Sequence, residues 1–71
     1  MSVGAIGEHD RVAGYGLAGV AVFVAADAEA AVAAWDSLPA DVELLLLSHS
    51  AYRALAPRLD GRRLLWVELP E

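Results

Sequence analysis

The residues of this sequence that could do chemistry fall into two short clusters. Glu8, His9 and Asp10 are consecutive, as are Ser48, His49 and Ser50, and the two clusters hold both histidines of the chain. Carboxylates beside a histidine can hold a divalent cation or move a proton. A serine beside a histidine offers a nucleophile and a base, but the pair must converge in space with a third group that orients the base. A further pattern, Gly14-Tyr15-Gly16-Leu17-Ala18-Gly19, spells GxGxxG. That spacing cradles a pyrophosphate when it joins a first strand to the start of a helix. The chain has no P-loop, serine elbow or HExxH segment.

Composition narrows these options. With 71 residues the chain is one domain, 1–71. A chain of this size buries only about 60% of its unfolded surface. The absence of cysteine excludes disulfides and thiolate metal sites and fits a reducing compartment, so any zinc site would need carboxylates. Five arginines, no lysine and a net charge of −5 leave no basic patch for nucleic acid or an anionic membrane. The longest uncharged run, 12–26, is 15 residues with three glycines inside it. That is shorter than the roughly 20 residues a spanning helix needs, and the N-terminus lacks the positive flank of a signal peptide, so no direct membrane insertion is expected.

The elements that must position the clusters can be read from periodicity. The apolar run 3–6 predicts a buried strand. A helix is expected over 10–18, with Asp10 as its N-cap. Gly14 and Gly16 each cost such a helix about 1 kcal/mol against alanine, so it needs tertiary packing, and glycine would permit close approach to a sheet. Gly19 suits the left-handed stop. The β-branched and aromatic run 20–25 predicts a second strand. Asp27 caps a second helix whose inner face is Ala28, Ala31, Val32, Trp35 and Leu38, ended by Pro39. The run 42–47 (VELLLL) predicts a third strand. Ser48 caps a third helix to about residue 56, with Ala51, Tyr52 and Leu55 inward and Pro57 closing it. Asp60-Gly61 signals a turn, and 64–69 a fourth strand stopped by Pro70.

The order β-α-β-α-β-α-β predicts an α/β fold with a four-stranded parallel sheet and right-handed crossovers. The expected strand order is 2-1-3-4, a flavodoxin-like or Rossmann-like three-layer sandwich with three helices. The first helix then lies alone on one face and leaves it half bare over strands 3 and 4. An aromatic such as Trp66 on that bare half would suit a partner surface. Trp35, at a core-facing position, is packing.

Placed on this frame, the clusters lose force. The GxGxxG pattern falls at the end of a helix, where a phosphate cradle does not belong. The helix start that would receive a phosphate is the acidic segment Glu8 to Asp10. Those acids sit where a receiver domain holds Mg²⁺, but such a domain needs an aspartate after strand 3 and a lysine. Here Ser48-His49 stands instead, and there is no lysine. His9 and His49 follow neighbouring strands and could approach each other, with Glu8 or Asp10, as a metal or acid–base site. The competing account is helix capping and favourable charge at a helix N-terminus.

One resemblance is more specific. Ala5-Ile6-Gly7-Glu8-His9-Asp10, then Val12, then Gly14-Tyr15-Gly16-Leu17-Ala18-Gly19-Val20 resembles the N-terminal signature of the F subunit of V-type and archaeal-type (A-type) rotary ATPases. That signature reads apolar-I-G-D-x-D-x-V-x-G-F-x-L-A-G-V, so Tyr15 replaces a phenylalanine, Glu8 an aspartate, and Gly16 a larger residue. Leu65-Trp66-Val67-Glu68-Leu69-Pro70 is similar to the family's V-x-V-E-I-P strand. The middle of the chain matches only in pattern. The resemblance implies a four-stranded parallel α/β domain of the central stalk that docks on the coiled-coil stalk subunit and turns with it. It also implies a cytoplasmic place, peripheral to a membrane-bound complex, with no metal, no cofactor and no chemistry of its own. ATP hydrolysis belongs to other subunits, and a stalk domain of this kind contributes to proton or Na⁺ transport coupled to ATP synthesis or hydrolysis. Family members continue into a mobile C-terminal helix, whereas the sequence ends at Glu71. A truncated or divergent homologue, or the globular domain alone, is therefore expected. Two alternatives stand beside it: a small-ligand or metal-binding domain using Glu8, His9, Asp10 and His49, and a homodimer formed through the bare sheet face.

Overall fold

The computed structural model describes residues 2–70, apart from the side chains of residues 17 and 18. Glu71, and the side chains of Leu17 and Ala18 in the signature block, thus lie outside the described residues. Four strands form, each where an apolar run lacks a helical stripe: β1 (Ser2–Gly7), β2 (Ala21–Val24), β3 (Val42–Leu47) and β4 (Leu65–Glu68). All pairings are parallel, and the order is β2-β1-β3-β4. Three helices connect them: α1 (His9–Val12), α2 (Ala28–Asp36) and α3 (His49–Leu55). This is the expected α/β topology.

The α2 and α3 caps form as their sequences require. The Asp27 carboxylate accepts from the Ala30 amide at 2.8 Å, and the Ser48 hydroxyl accepts from the Ala51 amide at 3.3 Å. Each removes one orphan donor from a helix start. The two helices share one face of the sheet. There Ile6, Leu45 and Leu47 meet Ala31, Trp35, Leu38, Ala51 and Leu55 in the main core. Trp35 is buried, and the Arg62 guanidinium lies over its ring at 4.6 Å. Of the expected inner face of α2, Ala28 is exposed and Val32 half-buried.

The opposite face carries a smaller cluster, Ala5, Val12 and Leu69, with Tyr15, Val20, Val22 and Leu46 packed against it. Here the structure corrects the first helix. The helix is a single α-turn, followed by a 3₁₀ segment, Ala13–Ala18. Glu8, not Asp10, occupies its N-cap position, and the Glu8 side chain makes no cap bond. Two glycines in nine residues leave too little propensity for a continuous α-helix. Gly19 does take the left-handed stop, at φ 84°.

Close approach also falls elsewhere than expected. A Cβ on Gly14 would have no neighbour within 4 Å, and one on Gly16 would make only ordinary contact with Val22. A Cβ on Gly7 would lie 2.7 Å from both Cβ and Oγ of Ser48 and 3.0 Å from Val12. The tight glycine is thus at the end of β1. As expected, α3 ends just before Pro57, with Ala56 as its C-cap; a second 3₁₀ segment, Ala56–Gly61, follows with Pro57 in its first turn and absorbs the expected turn at Asp60-Gly61.

These contacts order three alanine substitutions. Gly7→Ala should destabilise by about 1–3 kcal/mol through overpacking. Gly19→Ala should cost about 1–2 kcal/mol through its left-handed backbone. Gly14→Ala, in open space, should be neutral or stabilising by up to about 1 kcal/mol. Urea unfolding of the three variants checks the order.

Candidate functional site

In an open parallel sheet, ligands meet the carboxyl ends of the strands at the point where strand order reverses. Here that point lies between β1 and β3. Glu8 follows β1, and Ser48, His49 and Ser50 follow β3. The register sets Leu47 beside Glu68, which brings a carboxylate from β4 to the same end.

Ser48 is the hub. Its buried hydroxyl donates to Glu8 Oε1 at 2.6 Å while accepting the Ala51 amide of the α3 cap. Ser50 Oγ lies 3.4 Å away. The Ser48 hydroxyl, above all, holds the Glu8 carboxyl below its ordinary range. Ser50 and the Glu8 amide follow, then the charge of Arg11, while slight burial works the other way. A cleft of about 100 Å³ lies over this group, with Arg11, Leu69 and Pro70 completing its wall.

The two histidines do not converge, as a shared metal or acid–base site would need. His49 Nδ1 bonds Glu68 Oε2 at 2.9 Å, whereas exposed His9 lies 3.7 Å from exposed Asp10. Among the described residues, no group of three or more His, Asp or Glu side chains could hold a metal ion. His49 does have an orienting carboxylate, as a catalytic base requires. Yet the Ser48 hydroxyl is engaged by Glu8 and Ala51, and no serine bonds the His49 ring among the described residues. A nucleophile–base–carboxylate relay is not assembled there. Glu68 was not singled out by sequence spacing, because its nearness to His49 depends on the β3–β4 register. The GxGxxG pattern follows α1 and leads into β2, in the context that excludes a phosphate cradle.

The second candidate is a surface. Paired residues of a parallel sheet share a face, so Leu65 and Val67 lie beside Leu44 and Leu46 on the α1 side. Beyond α1 nothing among the described residues covers them. Leu65 is 74% and Val67 50% exposed. An open trough of about 710 Å³ runs past Glu43, Leu44, Arg63 and Leu65 at the amino end of this strip. The expected half-bare face is therefore present, but Trp66 is not on it. Alternation puts Trp66 on the α3 side, where its ring stacks on Tyr52 with centroids 5.1 Å apart.

Comparison with protein families, with curated proteins and with solved structures gives no match. No helix among the described residues is long and apolar enough to cross a membrane.

The Ser48–Glu8 bond has a pH signature. A carboxyl whose pKa is lowered by folding adds stability above its unfolded value, and that stability is lost as pH falls through the folded one. Ser48→Ala should destabilise by about 1–2 kcal/mol near neutral pH, through cap and carboxylate together. The deficit should shrink toward the cap contribution alone as pH falls from neutral through the lowered folded-state pKa of Glu8. Glu8→Gln should flatten the same acid limb while leaving the α3 cap intact. Urea midpoints across this pH range test both.

Proposed function

We propose that this domain is a non-catalytic interaction module of the central stalk of a V- or A-type rotary ATPase. In this role it docks on the coiled-coil stalk subunit, turns with it, and contributes to ion transport coupled to ATP synthesis or hydrolysis. Its place would be cytoplasmic, on the periphery of the membrane-bound complex.

The observation that carries an interaction role is the uncovered strip of Leu65 and Val67, in a sheet whose other face is packed by two helices. A contiguous apolar patch on a small domain is a docking surface by default. The choice of partner rests on the sequence block from Ala5 to Val20 and on the strand containing Val67 and Glu68. Several residues of that block have structural work. Ala5 and Val12 form the smaller core, Tyr15 packs against it, Gly7 admits Ser48, and Gly19 turns the chain. A signature made of packing and turn residues agrees with a stalk domain that performs no reaction.

Co-expression with the coiled-coil stalk subunit encoded by the same genome should yield a stable complex. Val67→Asp should weaken it at least about tenfold, or 1.4 kcal/mol, while leaving the unfolding free energy of the free domain within about 0.5 kcal/mol of wild type. Failure to form a complex, together with no V/A-type ATPase genes near this one, would end the proposal.

One observation favours a second reading, a small-ligand domain: the polar cleft at the strand-order reversal, with Glu8, Ser48, His49 and Ser50 converging on it. NMR titration with Mg²⁺, Zn²⁺ and a nucleotide should then shift the amides of residues 8–11 and 48–50. Unchanged spectra across all three ligands would dispose of it.

A further inference from the structure

The free edge of β4 is as unusual as the face beside it. All four residues of Leu65–Glu68 are exposed, whereas three of the four in β2, the other edge strand, are half-buried. Natural edges are blunted by shortness, as in this four-residue strand, or by lysine, proline, bulges or inward charges. Leu65-Trp66-Val67-Glu68 has no lysine or proline, and its pairing to β3 runs without a register shift. The hydrogen-bonding direction of this edge is also defined. The Leu69 amide donates to the Leu47 carbonyl at 2.7 Å, toward β3. Alternation then turns the backbone groups of Leu65 and Val67 toward β3, and those of Trp66 and Glu68 outward.

The charges beside this edge are polarised. Arg62 and Arg63 precede β4, and Glu68 ends it. Arg63 makes no ion pair among the described residues. A strand with a basic start and an acidic end is complementary to a second copy of itself laid antiparallel. We infer that β4 pairs antiparallel with β4 of a second copy of this chain, giving a two-fold dimer with one continuous eight-stranded sheet.

The outward groups allow few registers. Pairing Trp66 with Trp66 of the second copy sets Leu64 opposite Glu68, and Leu65 opposite Val67, on each side of the axis. Leu65 and Val67 then form non-hydrogen-bonded pairs, whose side chains approach most closely in an antiparallel ladder. Both copies present the α1 side on the same face, so their bare strips join across the seam into one wider apolar face. Arg62 of one copy then lies diagonally across from Glu68 of the other, and Arg63 falls opposite Leu69. The net charge of −5 per chain opposes association, but salt near physiological strength screens charges more than about 8 Å apart and leaves the local pairs. The dimer does not depend on the rotary-stalk proposal. If both hold, the second copy takes the edge of β4 and a stalk helix the face beside it.

The test uses the chain alone. Sedimentation equilibrium should show a concentration-dependent rise toward twice the mass of one chain, and Leu65→Lys should weaken association at least tenfold. Because the chain has no cysteine, register can be read by cross-linking. Mixed Leu65→Cys and Val67→Cys variants should oxidise to a covalent dimer containing one of each, in preference to dimers of either variant alone. A chain that stays monomeric at all concentrations overturns the inference, and binding of a coiled-coil partner by such a monomer assigns the strip to that partner. A dimer that ignores Leu65→Lys, or that cross-links without preference for the mixed pair, overturns the proposed edge. Should Leu65→Lys fail to fold by circular dichroism, the mixed cysteine pair alone decides.

Discussion

The fold depends on a close approach at the carboxyl end of its two central strands. Gly7 ends β1 without a side chain, and the space thus left is filled by Ser48 at the end of β3. Ser48 in turn starts α3, bonds Glu8 at the head of α1, and is among the buried residues. One residue therefore fixes the start of a helix on each face of the sheet relative to both inner strands. In a domain this small, where burial alone leaves little margin, such a junction does what a larger core does elsewhere.

The sequence shows the layers clearly and the details unevenly. The strands are legible because runs such as VAVFVA and VELLLL lack a polar stripe, as strands covered on both faces do. Asp27 and Ser48 are legible as caps because their side chains act within three residues of themselves. The first helix is misjudged for the opposite reason. Asp10 looks like a cap locally, but Glu8 is held by Ser48, 40 positions away, and that contact sets where the turn begins. The glycines of GYG suggest close packing, yet the tight contact belongs to Gly7, whose neighbour is distant in sequence.

The site follows the same division. That Glu8 and Ser48-His49 meet at one end of the sheet follows from strand order and could be foreseen. The partnership of His49 with Glu68 could not, because it depends on which residue of β4 stands beside Leu47. Nor could spacing decide which face of β4 is bare, since its alternate positions are both largely apolar. Only the register separates Trp66, stacked on Tyr52, from Leu65 and Val67 in the open. Fold and function also separate here, since this architecture hosts many activities and assigns none. The polar end and the apolar face are distinct surfaces, and each asks for a different kind of ligand.

The sandwich has three connecting helices for four strands, and this bears on what its stability means. Any species that covers Leu65 and Val67 in the folded state, and ignores the unfolded chain, adds RT ln(1 + [L]/Kd) to the unfolding free energy. At a hundredfold excess over Kd that is about 2.7 kcal/mol, a large fraction of what a domain this size commands alone. The melting temperature of the chain is then a function of what surrounds it. Where the covering species is a second copy of the chain, dilution alone would act as a mild denaturant, with stability held by the solution instead of by the sequence.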